Sequence, residues 1–190
     1  MTRKEAVLRS ATRLFAEKGF DSTPTSEVAK AAGVAEGTVF HHFRTKEDIL
    51  MHIFEDIVLT YFEEIESQAG TADSGLEAVE KIVQSHFRFV EERSKEFLVI
   101  LRDIPFRLLE QDSPFREVIT SNLNRALGLL RDCIDRGKKD GSIRDLSSQK
   151  AAFILQGMLN GLCRQTLLAP VESPDLRDEV LAFCRYGLGR

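Results

Sequence analysis

Residues 25–46 read TSEVAKAAGVAEGTVFHHFRTK. Thr25 to Ala32 has helical spacing, with Val28, Ala29 and Ala32 on one face that must bury against something. Gly33 stops that helix where a left-handed backbone is favoured, and Val34 offers an apolar contact just beyond it. Helical character resumes from Glu36 to Phe43, with Val39 and Phe43 four residues apart. Two short helices therefore cross at a tight turn. Ala29, Gly33 and Val39 supply the small, turning and bulky residues that the crossing needs, which is the helix-turn-helix arrangement that sets a second helix into a DNA major groove.

Working outward, Val7, Ala11, Leu14 and Phe15 give Arg3 to Lys18 an amphipathic pattern, and Gly19 ends it. Phe20 is an apolar anchor past that end. Asp21-Ser22-Thr23-Pro24 is turn chemistry leading to Thr25 as the expected N-cap of the next helix. Three helices should then share a core of Leu14, Phe15, Phe20, Val28, Val39 and Phe43. On the other side, Thr45 caps a helix from Lys46, and Asp48 suits the positive end of its dipole. Leu50, Ile53, Ile57, Tyr61 and Ile65 carry that helix to about Gln68, a span of about 33 Å.

The rest continues in helices. Leu76 to Val90 forms one, Ser94 to Ile104 another, and Ser113-Pro114 opens a long one that Gly137 and Gly141 close. Ser147 begins the next, running towards Pro170, and Ser173-Pro174 is the expected cap of the last, through Leu188. No segment alternates with period two for long. The fold class expected is all-α with about nine helices: an N-terminal three-helix helix-turn-helix module, residues 1–46, joined by a long helix to a C-terminal helical ligand-binding and dimerisation domain, residues 47–190.

The 190 residues carry a net charge of −4, with 26 Lys+Arg against 30 Asp+Glu. The first 50 residues hold 8 cationic and 7 acidic side chains and the remainder 18 and 23, so the acidity lies towards the C-terminus. A near-neutral N-terminal module binds DNA only if its few cations point at phosphate. No apolar run approaches the roughly eighteen residues of a membrane span, and the N-terminus is interrupted by charge, so a cytoplasmic protein with no membrane partner is expected. Cys133, Cys163 and Cys184 lack the spacing of a zinc site and read as buried thiols. Asp48, His52 and Asp56 share a helix face that could hold a cation but more commonly is a solvated row; neither metal nor cofactor is expected. No nucleophile elbow, phosphate-cradling glycine loop or HExxH motif argues for an enzyme.

In one register, Thr25, Val28, Ala29, Ala32, Gly33, Val34, Gly37, Thr38, Phe40, His42, Phe43, Lys46 and Leu50, preceded by Phe15, Gly19 and Phe20, resemble the TetR family of bacterial transcriptional regulators. The resemblance covers about the first 55 residues. It implies a DNA-binding module, dimerisation through the last two helices and a small-molecule pocket, hence a ligand-responsive repressor binding a palindromic operator in double-stranded DNA as a homodimer. The competing reading is a helical protein-binding adaptor that does not bind DNA. Two positions depart from the pattern: Phe40 stands where Tyr is frequent, and Ala35 where Ser or Thr commonly caps the recognition helix at a gain of about 1 kcal/mol.

The DNA-facing set expected is Thr25, Ser26, Glu36, Gly37, Thr38, Phe40, His41, His42 and Lys46, mostly at phosphates. Glu36 either accepts from a cytosine amino group or serves the helix dipole. His41 and His42 point about 100° apart, so they do not form a metal pair. An apolar pocket with a few orienting groups is drawn from His86, Phe87, Phe97, Arg102, Phe106, Leu123, Leu127, Met158 and Asn160. Gly157 and Gly161 permit close helix approach, giving a dimer interface of Ala151, Ile154, Leu155, Gly157, Met158, Gly161, Leu162, Val180, Leu181 and Cys184, unless those helices only close a monomer core.

Overall fold

The structure, a computed structural model, describes residues 1–103, 113–168 and 175–190. The chain is all-α. Nine helices lie among the described residues: α1 Arg3–Lys18, α2 Thr25–Ala32, α3 Glu36–His42, α4 Lys46–Gly70, α5 Gly75–Glu92, α6 Ser94–Asp103, α7 Pro114–Asp140, α8 Ser148–Leu168 and α9 Arg177–Leu188. The expected Ser173-Pro174 cap lies outside the described residues. No described helix is long and apolar enough to cross a membrane.

Two units emerge. The first comprises Met1–Leu59 with Arg93–Arg116, the second Thr60–Glu92 with Glu117–Arg190. Helices α4 and α7 are each continuous through both.

In the first unit, Thr2 and Glu5 form a reciprocal capping box that starts α1: Glu5 N–H donates to Thr2 Oγ1 at 3.2 Å and Thr2 N–H to Glu5 Oε2 at 2.9 Å. This satisfies two N-terminal amides. The turn between α1 and α2 is held by the fully buried Thr23, whose hydroxyl donates to Gly19 O at 2.8 Å. Gly33 adopts φ +68°, and the next amide, from Val34, reaches back to Ala29 O at 3.0 Å, so the tight crossing read from the sequence is present. Val7, Ala11, Phe15, Phe20, Val28, Val39, Phe43 and Leu50 are buried in this unit. Thr25 is not the N-cap, however. Helix α2 starts on it, Pro24 occupies the cap, and the Thr25 hydroxyl instead donates to Glu36 Oε1 at 3.2 Å.

In the second unit, the core includes Val79, Ile82 and Val83 of α5, Leu130 and Ile134 of α7, Ala152, Leu155 and Leu159 of α8, and Val180, Leu181 and Cys184 of α9. The start of α5 crosses α7 with no room for a side chain: a Cβ on Gly75 would lie 2.0 Å from Gly137 N. The same end of α5 is capped across the crossing by Asp140, which accepts Gly75 N–H at 2.7 Å, and by Ser142, which accepts Leu76 N–H at 3.1 Å.

Candidate nucleic-acid interface

Helix α3 contains no lysine or arginine; Glu36, His41 and His42 are its titratable side chains. A duplex is polyanionic, so a groove-facing helix of this composition needs cations from elsewhere. Two cations lie close by, at the start of α1. Thr2, Arg3 and Lys4 line one groove of about 570 Å³ together with Gly37, Thr38, His41 and His42. The imidazoles of His41 and His42 lie 5.2 Å apart, and Lys4 Nζ is 5.7 Å from the centre of the Phe43 ring. Two hydroxyls, two cations and two imidazoles on one rim suit phosphate oxygens.

Of the remaining residues in the expected DNA-facing set, Ser26, Glu36 and Phe40 are exposed, the Phe40 ring at 50%. Thr25 is half-buried and bonded to Glu36, which ties the start of α2 to the start of α3. Lys46 is not part of the groove lining. Its ammonium stands 4.3 Å from the centre of the Phe20 ring and donates to Asp21 O at 3.4 Å, which offsets its unfavourable place at a helix N-terminus. Thr2, Arg3 and Lys4 were not anticipated from the sequence. Their signal was present as TRKE at residues 2–5, a capping box enclosing two consecutive cations.

The residues of the expected pocket set divide between the two units. His86, Phe87, Leu127 and Met158 belong to the second unit, where the last three are half-buried against its core. The Arg102 guanidinium donates to the carbonyls of Phe15 at 2.5 Å and Ala16 at 3.1 Å, in the last turn of α1, the negative end of that helix. Leu123 and Asn160 are exposed, and Asn160 accepts from Gln156 at 3.2 Å. Phe97 lies half-buried in the first unit, and Phe106 lies outside the described residues.

His86 is only 4% exposed, and its Nδ1 is 3.0 Å from the Tyr61 hydroxyl. Burial pushes the His86 pKa down to about 4, outweighing the Leu159 carbonyl nearby, which favours the charged ring. Burial likewise pushes the Tyr61 phenol far above its ordinary value. Both groups are therefore uncharged at neutral pH. The three cysteines are free and buried, and burial raises the Cys163 thiol to about 12 and Cys184 to about 11, which leaves them unreactive.

On α8 and α9, burial separates two kinds of residue that the dimer set had combined. Leu155, Val180, Leu181 and Cys184 face their own unit's core. Ala151, Met158 and Leu162 are half-buried at its margin. Ile154, Gly157 and Gly161 of α8 are exposed, as are Phe153 of α8 and Phe183 of α9 at 68% each and Tyr186 of α9 at 89%. Among the described residues no three His, Cys, Asp or Glu side chains converge on a metal-sized site. Asp48 of the acidic row is occupied in capping, accepting Arg44 N–H at 3.0 Å while its own N–H donates to Thr45 Oγ1 at 3.1 Å.

Residues 7–53 match the family model for bacterial regulatory proteins of the tetR family, and residues 72–164 match a tetracyclin repressor-like C-terminal domain. The HTH-type transcriptional regulator AcrR of Shigella flexneri is 30% identical over 186 residues, covering 93% of this chain and 83% of that one. The fatty acid metabolism regulator protein of Bacillus subtilis is 27% identical over 136 residues, covering 71% and 70%. The solved structure of the fatty acid degradation regulator FadR from Bacillus halodurans superposes with a TM-score of 0.84 at 25% identity, covering 100% of this chain and 98% of that one.

Proposed function

The chain belongs to the TetR family of bacterial regulatory proteins and is a DNA-binding transcriptional regulator, and from that premise we propose that it is a homodimeric repressor of a palindromic operator, released by a small fatty-acid derivative. The observation that carries the DNA-binding part is the shared groove of α1 and α3, which joins Arg3 and Lys4 to Thr38, His41 and His42. Phosphates held on that rim fix the register of α3, and its exposed Phe40 is then placed to meet a thymine methyl, while Glu36, whose Oε1 is bonded to Thr25, has its other carboxylate oxygen for a cytosine amino group.

Exposed apolar side chains on α8 and on α9 support the dimer. Phe153, Gly157 and Gly161 recur every four residues on one face of α8, with Ile154 beside them and Phe183 and Tyr186 on α9. Side chains of this size left in water favour self-association. Two-fold pairing would present two α3 helices about 34–36 Å apart, in successive major grooves. We retain the functional division at residues 46 and 47, with DNA contact before it and effector binding and dimerisation after it. Helix α4, Lys46–Gly70, begins at that division. The effector class rests on the relatives named for fatty acid metabolism and degradation.

Selection of bound fragments from a genomic library, followed by salt titration, tests the reading. Arg3→Ala and Lys4→Ala should each weaken binding across all sequences and reduce the slope of log K against log salt by about 0.9. A protein that retards no fragment in a sequence-dependent way at moderate salt would instead be an adaptor.

A further inference from the structure

The two short helices of the first unit are tied at their starts by one side-chain bond. Thr25 opens α2 and Glu36 opens α3, and the Thr25 hydroxyl donates to Glu36 Oε1 at 3.2 Å. The backbone between them is held in place: Gly33 adopts φ +68°, Val34 N–H reaches Ala29 O at 3.0 Å, and Val28, Ala29 and Val39 are buried. A carboxylate only accepts, so the hydroxyl must be the donor. Thr25 has one such proton, and with that proton on Glu36 it offers a phosphate oxygen nothing but lone pairs. Thr25 is half-buried and Glu36 exposed, so the carboxylate is held from its protein side, and Oε2 has no partner among the described residues. Phe40, also exposed, stands one turn further along α3.

We propose that Thr25 is a positioning residue and not a phosphate contact: it aims Glu36 Oε2 at a base edge, so that each half-site carries cytosine at one position. This rests on the DNA-binding reading above and adds the residue that sharpens its base preference. An acidic side chain facing a polyanion is unfavourable unless a donor meets it. In the major groove the amino group of cytosine is such a donor. Guanine offers N7 and O6 and thymine O4, acceptors that repel a carboxylate, and adenine sets its N6 donor beside the N7 acceptor. The order is therefore cytosine, then adenine, then guanine and thymine. A free glutamate side chain must also give up rotamer freedom on binding, and a bond already formed in the unbound protein removes part of that loss. Thr25 thus acts on discrimination between bases and not on the general attraction to DNA, which Arg3 and Lys4 supply.

The test uses the full chain and duplexes selected from a randomised library, with all four base pairs placed in turn at every half-site position and affinities read by fluorescence anisotropy at about 0.15 M salt. In wild type one position should favour cytosine over guanine and thymine by at least about fivefold. Glu36→Gln should move the preference at that position to adenine, because an amide both donates and accepts across N6 and N7. Thr25→Val, which keeps the branched shape and removes the hydroxyl, should lower the cytosine preference about threefold or more, and Thr25→Ser should retain it. In a Glu36→Ala background Thr25→Val should change nothing further, since it acts only through the carboxylate. A Thr25→Val protein that binds every duplex more weakly by the same factor, that binds none, or whose substitution has an effect of its own in the Glu36→Ala background overturns the positioning role. A base preference that Glu36→Gln leaves unmoved at every position means that Glu36 reads no base and overturns this inference, while the DNA-binding reading stands on the reduced salt slopes of Arg3→Ala and Lys4→Ala. A wild type that retards no duplex overturns both.

Discussion

Acid should destabilise the second unit through His86, and the size of the effect follows from its burial. The imidazole titrates near 6.5 in an unfolded chain and near 4 in the folded one. Between those values the unfolded state binds a proton that the folded state refuses, so stability falls as pH falls. Above about 6.5 the ring is neutral in both states and nothing is lost. By about pH 4 the full difference has accumulated, on the order of 3 kcal/mol at roughly 1.4 kcal/mol per pH unit. Against a total stability of about 5–15 kcal/mol, that is a large share. Urea unfolding at several pH values between 7 and 4 would measure it in the wild type and in His86→Gln, which cannot titrate. Glu77 and Asp140, whose carboxyls are held below their ordinary range by hydrogen bonds, also lose stabilising interactions as pH falls, but equally in both proteins. The wild type should therefore lose about 3 kcal/mol more than the variant across this window. Parallel pH profiles would refute the claim that His86 is buried and neutral.

Gly75→Ala should be strongly destabilising, because the added Cβ would meet Gly137 N at 2.0 Å and Cys133 O at 2.5 Å, backbone atoms that cannot swing aside. A loss of at least about 2–3 kcal/mol, or roughly 5–10 °C in melting temperature, is expected by calorimetry; an unchanged melting temperature would mean that α5 and α7 do not cross there. Gly161→Arg behaves oppositely. A Cβ at Gly161 meets nothing within 4 Å, so the monomer should fold normally, while light scattering should show a dimer reduced to monomer and operator affinity should collapse.

Much of the first unit was legible in the linear order of residues, since it is built from local devices. The left-handed Gly33, the Thr45 cap and the helical spacing of Val28, Ala29, Val39 and Phe43 each act over a few positions, and each is visible without knowing the rest of the chain. The contribution of α1 to the groove was harder to see. Arg3 and Lys4 meet Thr38 and His42 only because three helices fold back on one another, across more than thirty positions of sequence.

Helix periodicity, capping chemistry and turn glycines, all read from neighbouring residues, determined that this protein is all-α and opens with a helix-turn-helix. Which apolar face looks inward was decided by tertiary structure alone. Helix α8 is apolar on more than one side, so Leu155 and Ile154 are equivalent as sequence; packing against α5 buries the first and leaves the second in water. Arg102 makes the same point with charge. Its partners lie 87 and 86 residues away at the end of α1, and a long cation takes the carbonyl acceptors that the fold brings within reach. Local propensity acts along the chain, whereas burial and long-range hydrogen bonding depend on neighbours that exist only once the chain has folded.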